Sequence, residues 1–331
     1  MDLSIIIVNY NSPGLVLDCL RSLEQQSIHV STEIIVVDND SKDNSKETIT
    51  SSFPLVKWIQ MSYNSGFARA NNEGIRNSTA PVVLLLNPDT LVINNGVSNC
   101  YKQFINDSYI ACGVQLLNPN STPQISGSYF MKGGLNHLLP LPYLGPLLRF
   151  FALRLKVKKP SLSDVSGTQE VDWINGAFLM VKRGAVNKAG LMDEDFFMYA
   201  EEAEWCSRLN KIGKLCIYGD LNVIHLQGET ANEAFGSSGK GYQNLFDKKG
   251  LQIMVSNLLR IRKQYGVGWF LFILSMFIID IPVFFAGYTI SKLVLSRKYS
   301  FRQFKGFTSN VLKLINLSPL IITNRPNFYK V

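Results

Sequence analysis

The run Pro81-Val82-Val83-Leu84-Leu85-Leu86, closed at once by Asn87-Pro88-Asp89-Thr90, constrains this chain more than any other stretch. An unbroken apolar run ended by a turn signal fits a strand buried on both faces, and such strands belong to parallel sheets covered by helices. A carboxylate just past the carboxyl end of that strand stands where open α/β sheets bind ligands. It is a natural place to hold a divalent metal against a phosphate, although Asn-Pro-Asp after a strand also reads as a plain turn.

The preceding residues repeat the pattern. Ser4-Ile5-Ile6-Ile7-Val8 runs into Asn9-Tyr10-Asn11-Ser12-Pro13, and Glu33-Ile34-Ile35-Val36-Val37 runs into Asp38-Asn39-Asp40-Ser41; Val56 to Gln60 is a short third strand. Between them, Leu15 to Gln26 carries apolar residues at helical spacing, a helix follows from about Asp43, and Ala68 to Arg76 forms another. Strand and helix in alternation predict a doubly wound, mostly parallel sheet with flanking helices. Polar strand ends are common in loops, but here they gather Asn, Asp and Ser at one rim, which favours a ligand crevice.

Size and composition narrow the class. A length of 331 residues allows one or two domains with ample core. Charged residues are 18% of the chain against 46% apolar, and the apolar surplus sits near the C-terminus, which points to membrane contact. The net charge of +8 comes without a Lys/Arg run of the nucleic-acid type, so it is assigned to anionic lipid of the inner leaflet and to phosphate ligands, with no nucleic acid as partner. Five scattered cysteines without a CxxC pair fit buried thiols in a reducing compartment. No basic n-region precedes the first strand, so no signal peptide is expected and the first domain is expected in the cytoplasm. The absence of GxGxxG after that strand disfavours a dinucleotide oxidoreductase.

The second half is less regular. Residues 118–165 are rich in Pro and Gly, and Leu141 to Lys159 mixes Leu147, Leu148, Phe150, Phe151 and Leu153 with Arg149, Arg154, Lys156, Lys158 and Lys159. That stretch reads either as a loop packed on the domain or as a basic amphipathic membrane contact. Gly176 to Val181 is a strand. Read at helical spacing, Asp193 to Leu209 puts Met198, Glu202, Trp205, Cys206 and Leu209 on one inward stripe, and Glu201, Glu204 and Arg208 on the solvent side. Glu202 is then the inward carboxylate, which needs a partner or a function. Lys214 to Tyr218 is a further strand, and Val223-Ile224-His225 a short apolar step to a histidine. A lone His there is commonly structural, but with three His in the chain a metal role falls on His225.

Trp269 to Ile290 is apolar except for Asp280 and Pro282, and is long enough to span a bilayer. Its flanks oppose a span: the basic group after it (Lys292, Arg297, Lys298, Arg302, Lys305) exceeds the one before it (Arg260, Arg262, Lys263). Asp280 at mid-run is also costly in lipid. The expectation is a helix, or a pair broken at Pro282, lying in or dipping into the inner leaflet, with a single span as the alternative.

Asn9-Tyr10-Asn11, Val37-Asp38-Asn39-Asp40-Ser41-Lys42-Asp43, Asn64-Ser65-Gly66-Phe67-Ala68-Arg69-Ala70-Asn71-Asn72, Asn87-Pro88-Asp89, Trp173-Ile174-Asn175-Gly176-Ala177, Phe196-Phe197-Met198-Tyr199-Ala200-Glu201-Glu202 and His225 form an ordered set. Over about residues 1–230 that set resembles the GT-A, family 2 inverting glycosyltransferases, notably the rhamnosyltransferase-like branch of bacterial O-antigen and cell-wall polysaccharide assembly. The resemblance implies an α/β GT-A domain over 1–235, with a nucleotide-sugar half (1–117) and an acceptor and catalytic half (118–235). A C-terminal membrane-associated helical region would follow over 236–331.

It also implies roles. Asn9, Tyr10, Asn11 and Asp38 would hold the nucleobase and ribose of a nucleotide-diphosphate sugar. Asn64, Gly66, Phe67 and Asn71 belong to the segment that would close over the nucleotide. Asp89 would ligate Mg²⁺ or Mn²⁺ at the diphosphate, with His225 as a further ligand; Asn87 stands where the family's DxD pattern has its first Asp. Trp173 and Gly176 would border the acceptor. The family's catalytic base is an Asp in a Glu-Asp pair; here the pair is Glu201-Glu202, a longer homologue. The implied activity is transfer of a hexosyl group, rhamnosyl from dTDP-rhamnose first, to a saccharide on a polyprenyl diphosphate carrier. The implied place is the cytoplasmic face of a bacterial inner membrane. Transfer of galactosyl, glucosyl or fucosyl, or a non-catalytic nucleotide-binding membrane scaffold, are the alternatives.

Overall fold

A computed structural model describes residues 1–26, 30–157, 159–226, 244–293 and 298–331. The expected boundary at 235/236, and the basic residues Lys158 and Arg297, lie outside the described residues. The elements in chain order are β1 (Leu3–Asn9), α1 (Pro13–Glu24), β2 (Thr32–Asp38), α2 (Ser45–Ser52), β3 (Lys57–Gln60), α3 (Gly66–Arg76), β4 (Val82–Leu86), β5 (Thr90–Val92), α4 (Gly96–Asn106) and β6 (Ala111–Leu117). Then come β7 (Gly127–Ser128), a 3₁₀ helix (Lys132–Leu138), α5 (Leu144–Arg154), β8 (Ser161–Leu162), β9 (Thr168–Val171), β10 (Trp173–Ile174) and β11 (Phe178–Lys182). The last are α6 (Arg183–Ala189), α7 (Glu201–Leu209), β12 (Leu215–His225), α8 (Lys248–Tyr265), α9 (Val267–Leu293) and α10 (Phe301–Thr323).

The main sheet runs β3-β2-β1-β4-β11-β6-β12-β5, with β9 also on β12. β3, β2, β1 and β4 are parallel neighbours, as the alternating pattern predicts. β11 enters antiparallel between β4 and β6, β12 is parallel to β6, and β5 and β9 run antiparallel to β12. β4 is buried at every residue, the burial its sequence requires. Alternation sorts the faces: Ile5, Ile7, Val36, Leu84 and Leu86 share a core with Val16, Cys19, Leu20 and Leu23 of α1. Ile6 and Val37 face the other way, against Gly74 of α3, where a Cβ would lie 2.4 Å from Ile6 Cγ2. Helices on both faces are what makes the winding double.

Two compact units result. One comprises residues 1–129, 160–197 and 201–230; the other comprises 130–159, 198–200 and 231–331. The irregular stretch 130–159 is thus gathered with the C-terminal helices. In that second unit α9 is a single helix with Pro282 inside it, long and apolar enough to cross a membrane, and α8 and α10 pack against it. Asp280 is fully buried within the unit rather than turned outward.

Candidate active site

Parallel neighbours β2, β1 and β4 end together, and their last residues or the residue just after them are Asp38, Asn9 and Asn87. Asn9 donates its amide Nδ2 to Asp38 Oδ1 at 2.7 Å and to Ser41 Oγ at 3.1 Å. Asp38, 1% exposed, also accepts from the Ser41 backbone N–H at 2.9 Å and from Gln60 Nε2 at 2.6 Å. Three donors fix the carboxylate at the rim. Asn11, with φ +49°, closes the loop: its N–H donates to Ser41 Oγ and its side-chain oxygen accepts from the Lys42 N–H, both at 2.8 Å. Tyr10 sits half-buried on the same loop.

The segment before α3 is tied to the same rim. Asn39 accepts from the Ser65 N–H and hydroxyl, both at 2.8 Å, and donates to Asn64 Oδ1 at 3.2 Å. Gly66 has φ +78°, and a Cβ there would meet the Phe197 carbonyl oxygen at 2.1 Å; the next N–H, of Phe67, donates to that oxygen at 2.8 Å. Only glycine fits such a conformation and approach. This contact draws the 196–197 turn, and with it the start of α7, toward the rim. Asn71 is spent locally, donating to the Phe67 carbonyl at 2.9 Å from a buried position.

β11 turns at the same rim, where the Asn87 N–H donates to the Ala177 carbonyl at 3.0 Å. A Cβ on Gly176 would lie 3.6 Å from Glu202 Cγ and 3.8 Å from Phe67 Cε1, so Gly176, Glu202 and Phe67 meet. Trp173, on β10, is half-buried with its indole N–H buried and without a hydrogen bond.

α7 differs from the helical reading of 193–209. Tyr199 and Ala200 have φ of +72° and +65°, so the helix begins only at Glu201 and the wheel cannot be drawn through Met198. As a correction, Glu201 and Glu204 are the buried carboxylates, while Glu202 is half-buried and borders the rim. Glu204 does pair with Arg208 at 2.7 Å, as the i,i+4 spacing predicts, but from a buried position. Glu201 Oε2 has no hydrogen-bond partner. Burial first, and the neighbouring charge of Glu202 second, push its carboxyl well above the usual range.

β12 is one bulged strand where the sequence suggested two pieces; its register slips between Tyr218 and Asn222, and the continuation pairs His225 with Thr90 of β5. That pairing sets His225 Nε2 3.4 Å from Asp89 Oδ1, with both residues buried. Gln124 donates to the His225 carbonyl at 2.6 Å and its oxygen lies 3.0 Å from Nδ1, an arrangement that suits the tautomer with hydrogen on Nδ1. In the neutral ring the Nε2 lone pair then points at a carboxylate oxygen. Two acceptors held face to face suit a cation between them. At the same sheet end, Asn87 Oδ1 is buried without a hydrogen bond. Oxygen and imidazole donors of this kind fit Mg²⁺ or Mn²⁺. Among the described residues no group of three or more His, Cys, Asp or Glu is placed to hold a metal ion.

Asn39, Ser65, Gln60 and Gln124 emerge only here. Asn39 and Ser65 lie inside the polar segments already singled out, whereas Gln124 is 101 residues from the histidine it orients, and no local pattern marks it.

Residues 4–170 match the model of the glycosyl transferase family 2. The low-salt glycan biosynthesis hexosyltransferase Agl10 of Haloferax volcanii is 29% identical over 219 residues, 63% of this chain and 62% of that protein, so less than two thirds of its length is spanned. The dTDP-rhamnosyl transferase RfbF of Shigella flexneri is 25% identical over 246 residues, 70% of this chain and 71% of that one. The N-acetylglucosaminyl-diphospho-decaprenol L-rhamnosyltransferase of Mycobacterium tuberculosis is 23% identical over 239 residues, 67% of this chain and 75% of that one. A mannosyltransferase of Pyrobaculum calidifontis, solved in complex with GDP-Man and Mn²⁺, superposes with a TM-score of 0.53 at 14% identity over 97% of this chain and 83% of that one, a likeness of fold.

Proposed function

Taking as premise that this chain belongs to glycosyl transferase family 2 and has the GT-A fold, we propose that it is an inverting transferase moving a hexosyl group, rhamnosyl from dTDP-rhamnose, onto a polyprenyl-diphosphate-linked saccharide. The product is a surface polysaccharide of the O-antigen kind, built at the cytoplasmic face of a bacterial inner membrane. The observation that carries the reading is the placing of Glu202 beside Gly176 and Phe67, at the sheet end that also holds Asn87 and Asn9.

The donor's base and ribose lie against Asn9, Tyr10, Asn11 and Asp38, whose fixed carboxylate offers an acceptor for a pyrimidine ring N–H. Asn64, Gly66 and Phe67 cover the nucleotide, with Asn71 bracing the Phe67 carbonyl. Asp89 and His225, with Asn87 beside them, would hold Mg²⁺ or Mn²⁺, which supplies Lewis-acid stabilisation of the leaving diphosphate. Glu202 takes the proton from the acceptor hydroxyl as it attacks the face of the anomeric carbon opposite the leaving group, and the configuration inverts. Burial and the neighbouring Glu202 charge raise the Glu201 carboxyl, which favours the negative charge of the pair on Glu202. Trp173 and Gly176 border the acceptor, the unpaired indole N–H being a donor for a sugar oxygen.

Support for rhamnosyl and for a lipid-linked acceptor comes from the names of the Shigella and Mycobacterium relatives. The apolar helix α9 supports membrane association, with anionic lipid as the surface. The Haloferax relative, a hexosyltransferase, keeps another hexosyl donor as the second reading.

The test is Glu202→Gln. Transfer is expected to fall by about 10²–10⁴-fold, while thermal stabilisation by dTDP with Mn²⁺ stays. Full activity would remove Glu202 as base. Asp89→Ala is expected to lose the Mn²⁺-dependent part of that stabilisation; an unchanged shift would remove Asp89 from the metal site.

A further inference from the structure

α5 belongs to the second unit and has no part in the transfer chemistry described above. It buries only Gly145, with Leu144, Leu148 and Ala152 half-buried on its inner side. Its outward side carries Leu147, Phe150, Phe151 and Leu153, each 50–64% exposed. Water-exposed aromatics and leucines in such a row leave a large transfer free energy unused. Phe150 and Phe151 meet edge to face at 5.6 Å, and the Arg154 guanidinium stacks over Phe150 at 4.8 Å, which keeps a cation at the edge of the apolar face. Lys156 and Lys159 follow, both exposed. No acidic residue occurs anywhere from Phe130 to Lys159.

The face is held in place. Tyr143, immediately before α5, sets its hydroxyl 2.9 Å from Ser291 Oγ of α9, and its ring lies where a Cβ on Gly287 would approach to 2.7 Å. α9 itself exposes Ile279, Phe285 and Ile290. An apolar stripe ended by cations, in a segment with no acidic residue, is complementary to an anionic lipid surface and not to a second copy of a face that is itself basic.

We propose that α5 is an interfacial helix: Leu147, Phe150, Phe151 and Leu153 enter the headgroup–acyl boundary of an anionic bilayer, and Arg154, Lys156 and Lys159 lie on its phosphates. This rests on the membrane association proposed above and deepens it by naming the element and the lipid charge. The sugar and the chemistry do not enter.

The full chain with Phe150→Cys, labelled with the dye NBD, provides the test, with Leu153→Cys as a second site; the five native cysteines are buried. On phosphatidylcholine vesicles containing phosphatidylglycerol, the emission is expected to rise and shift to the blue. Arg154→Glu, Lys156→Glu and Lys159→Glu together should raise the lipid needed for half the response by about 100-fold, at roughly fivefold per basic residue at the surface. An unchanged emission at both sites, while an Ile279→Cys probe on α9 responds, would overturn the proposal. So would an equal response on phosphatidylcholine alone, or an emission that rises with protein concentration without vesicles, the signature of self-association. Stabilisation by dTDP and Mn²⁺ in the same preparation reads the transferase separately, so either reading can fail without the other.

Discussion

One peptide bond separates Glu201, 4% exposed, from Glu202 at the rim. Burial and the Glu202 charge raise the Glu201 carboxyl, so between its ordinary and its raised pKa the folded chain binds a proton that the unfolded chain does not. Stability is therefore full below the ordinary carboxylate pKa and declines as pH rises through that window. Glu201→Gln keeps the shape of the protonated form and has no proton to lose. Its gain in Tm over the wild type is expected to be larger at pH 8 than at pH 5, each 1 kcal/mol appearing as about 2–4 °C. Equal gains at both pH values in thermal unfolding would mean that Glu201 titrates as an ordinary carboxyl. The residue identities in this pair were legible in the sequence. Their facing was not, because left-handed backbone at Tyr199 and Ala200 breaks the helical period just before Glu201.

At the scale of elements, strands that bury both faces announced themselves: β1, β2 and β4 appear where apolar runs meet Asn9, Asp38 and Asn87. Long-range pairing did not. β11 lies antiparallel beside β4, and β12 carries His225 across a bulge to β5, because these registers are set by partners far along the chain. Local sequence marks Asp89 and His225 one by one, and for the same reason only the family resemblance joins them at one ion. Contact between α3 and β1 gives a direct check on the helix–sheet packing behind Asn64 to Asn71. Gly74→Ala would drive a Cβ to 2.4 Å from Ile6 Cγ2, and overpacking of this kind costs about 1–3 kcal/mol. Gly184→Ala in α6 has nothing within 4 Å and is expected to be neutral or to stabilise by up to about 1 kcal/mol. Urea midpoints at unchanged m-value would show the contrast; two equal shifts would mean that the space beneath Gly74 relaxes freely.

Across the whole molecule the chemistry is divided by unit. Every residue proposed for the donor, the metal and the base belongs to the unit of 1–129, 160–197 and 201–230, while α5, α9 and α10 with their exposed apolar side chains belong to the other. Composition foretold that division only coarsely. It placed the apolar surplus at the C-terminus but not the membership of 130–159, whose Pro and Gly hide a helix that packs on distant α9. Hydrogen exchange reads both units at once, since a ligand at 100 times its Kd adds about 2.7 kcal/mol to whatever opening it opposes, roughly a hundredfold slowing. dTDP with Mn²⁺ is expected to slow the amides of 9–12, 38–42, 64–67 and 87–90; anionic vesicles are expected to slow those of 147–157 and the exposed face of α9. Nucleotide protection that persists without a divalent cation would detach the metal from Asp89 and His225 while leaving the donor site at Asp38. Protection of none of the four rim segments by any nucleoside diphosphate would deny the rim its donor. Because those segments are tied through the Asn39–Ser65 and Asn9–Asp38 hydrogen bonds, they are expected to respond together, and a response confined to one of them would place the ligand elsewhere.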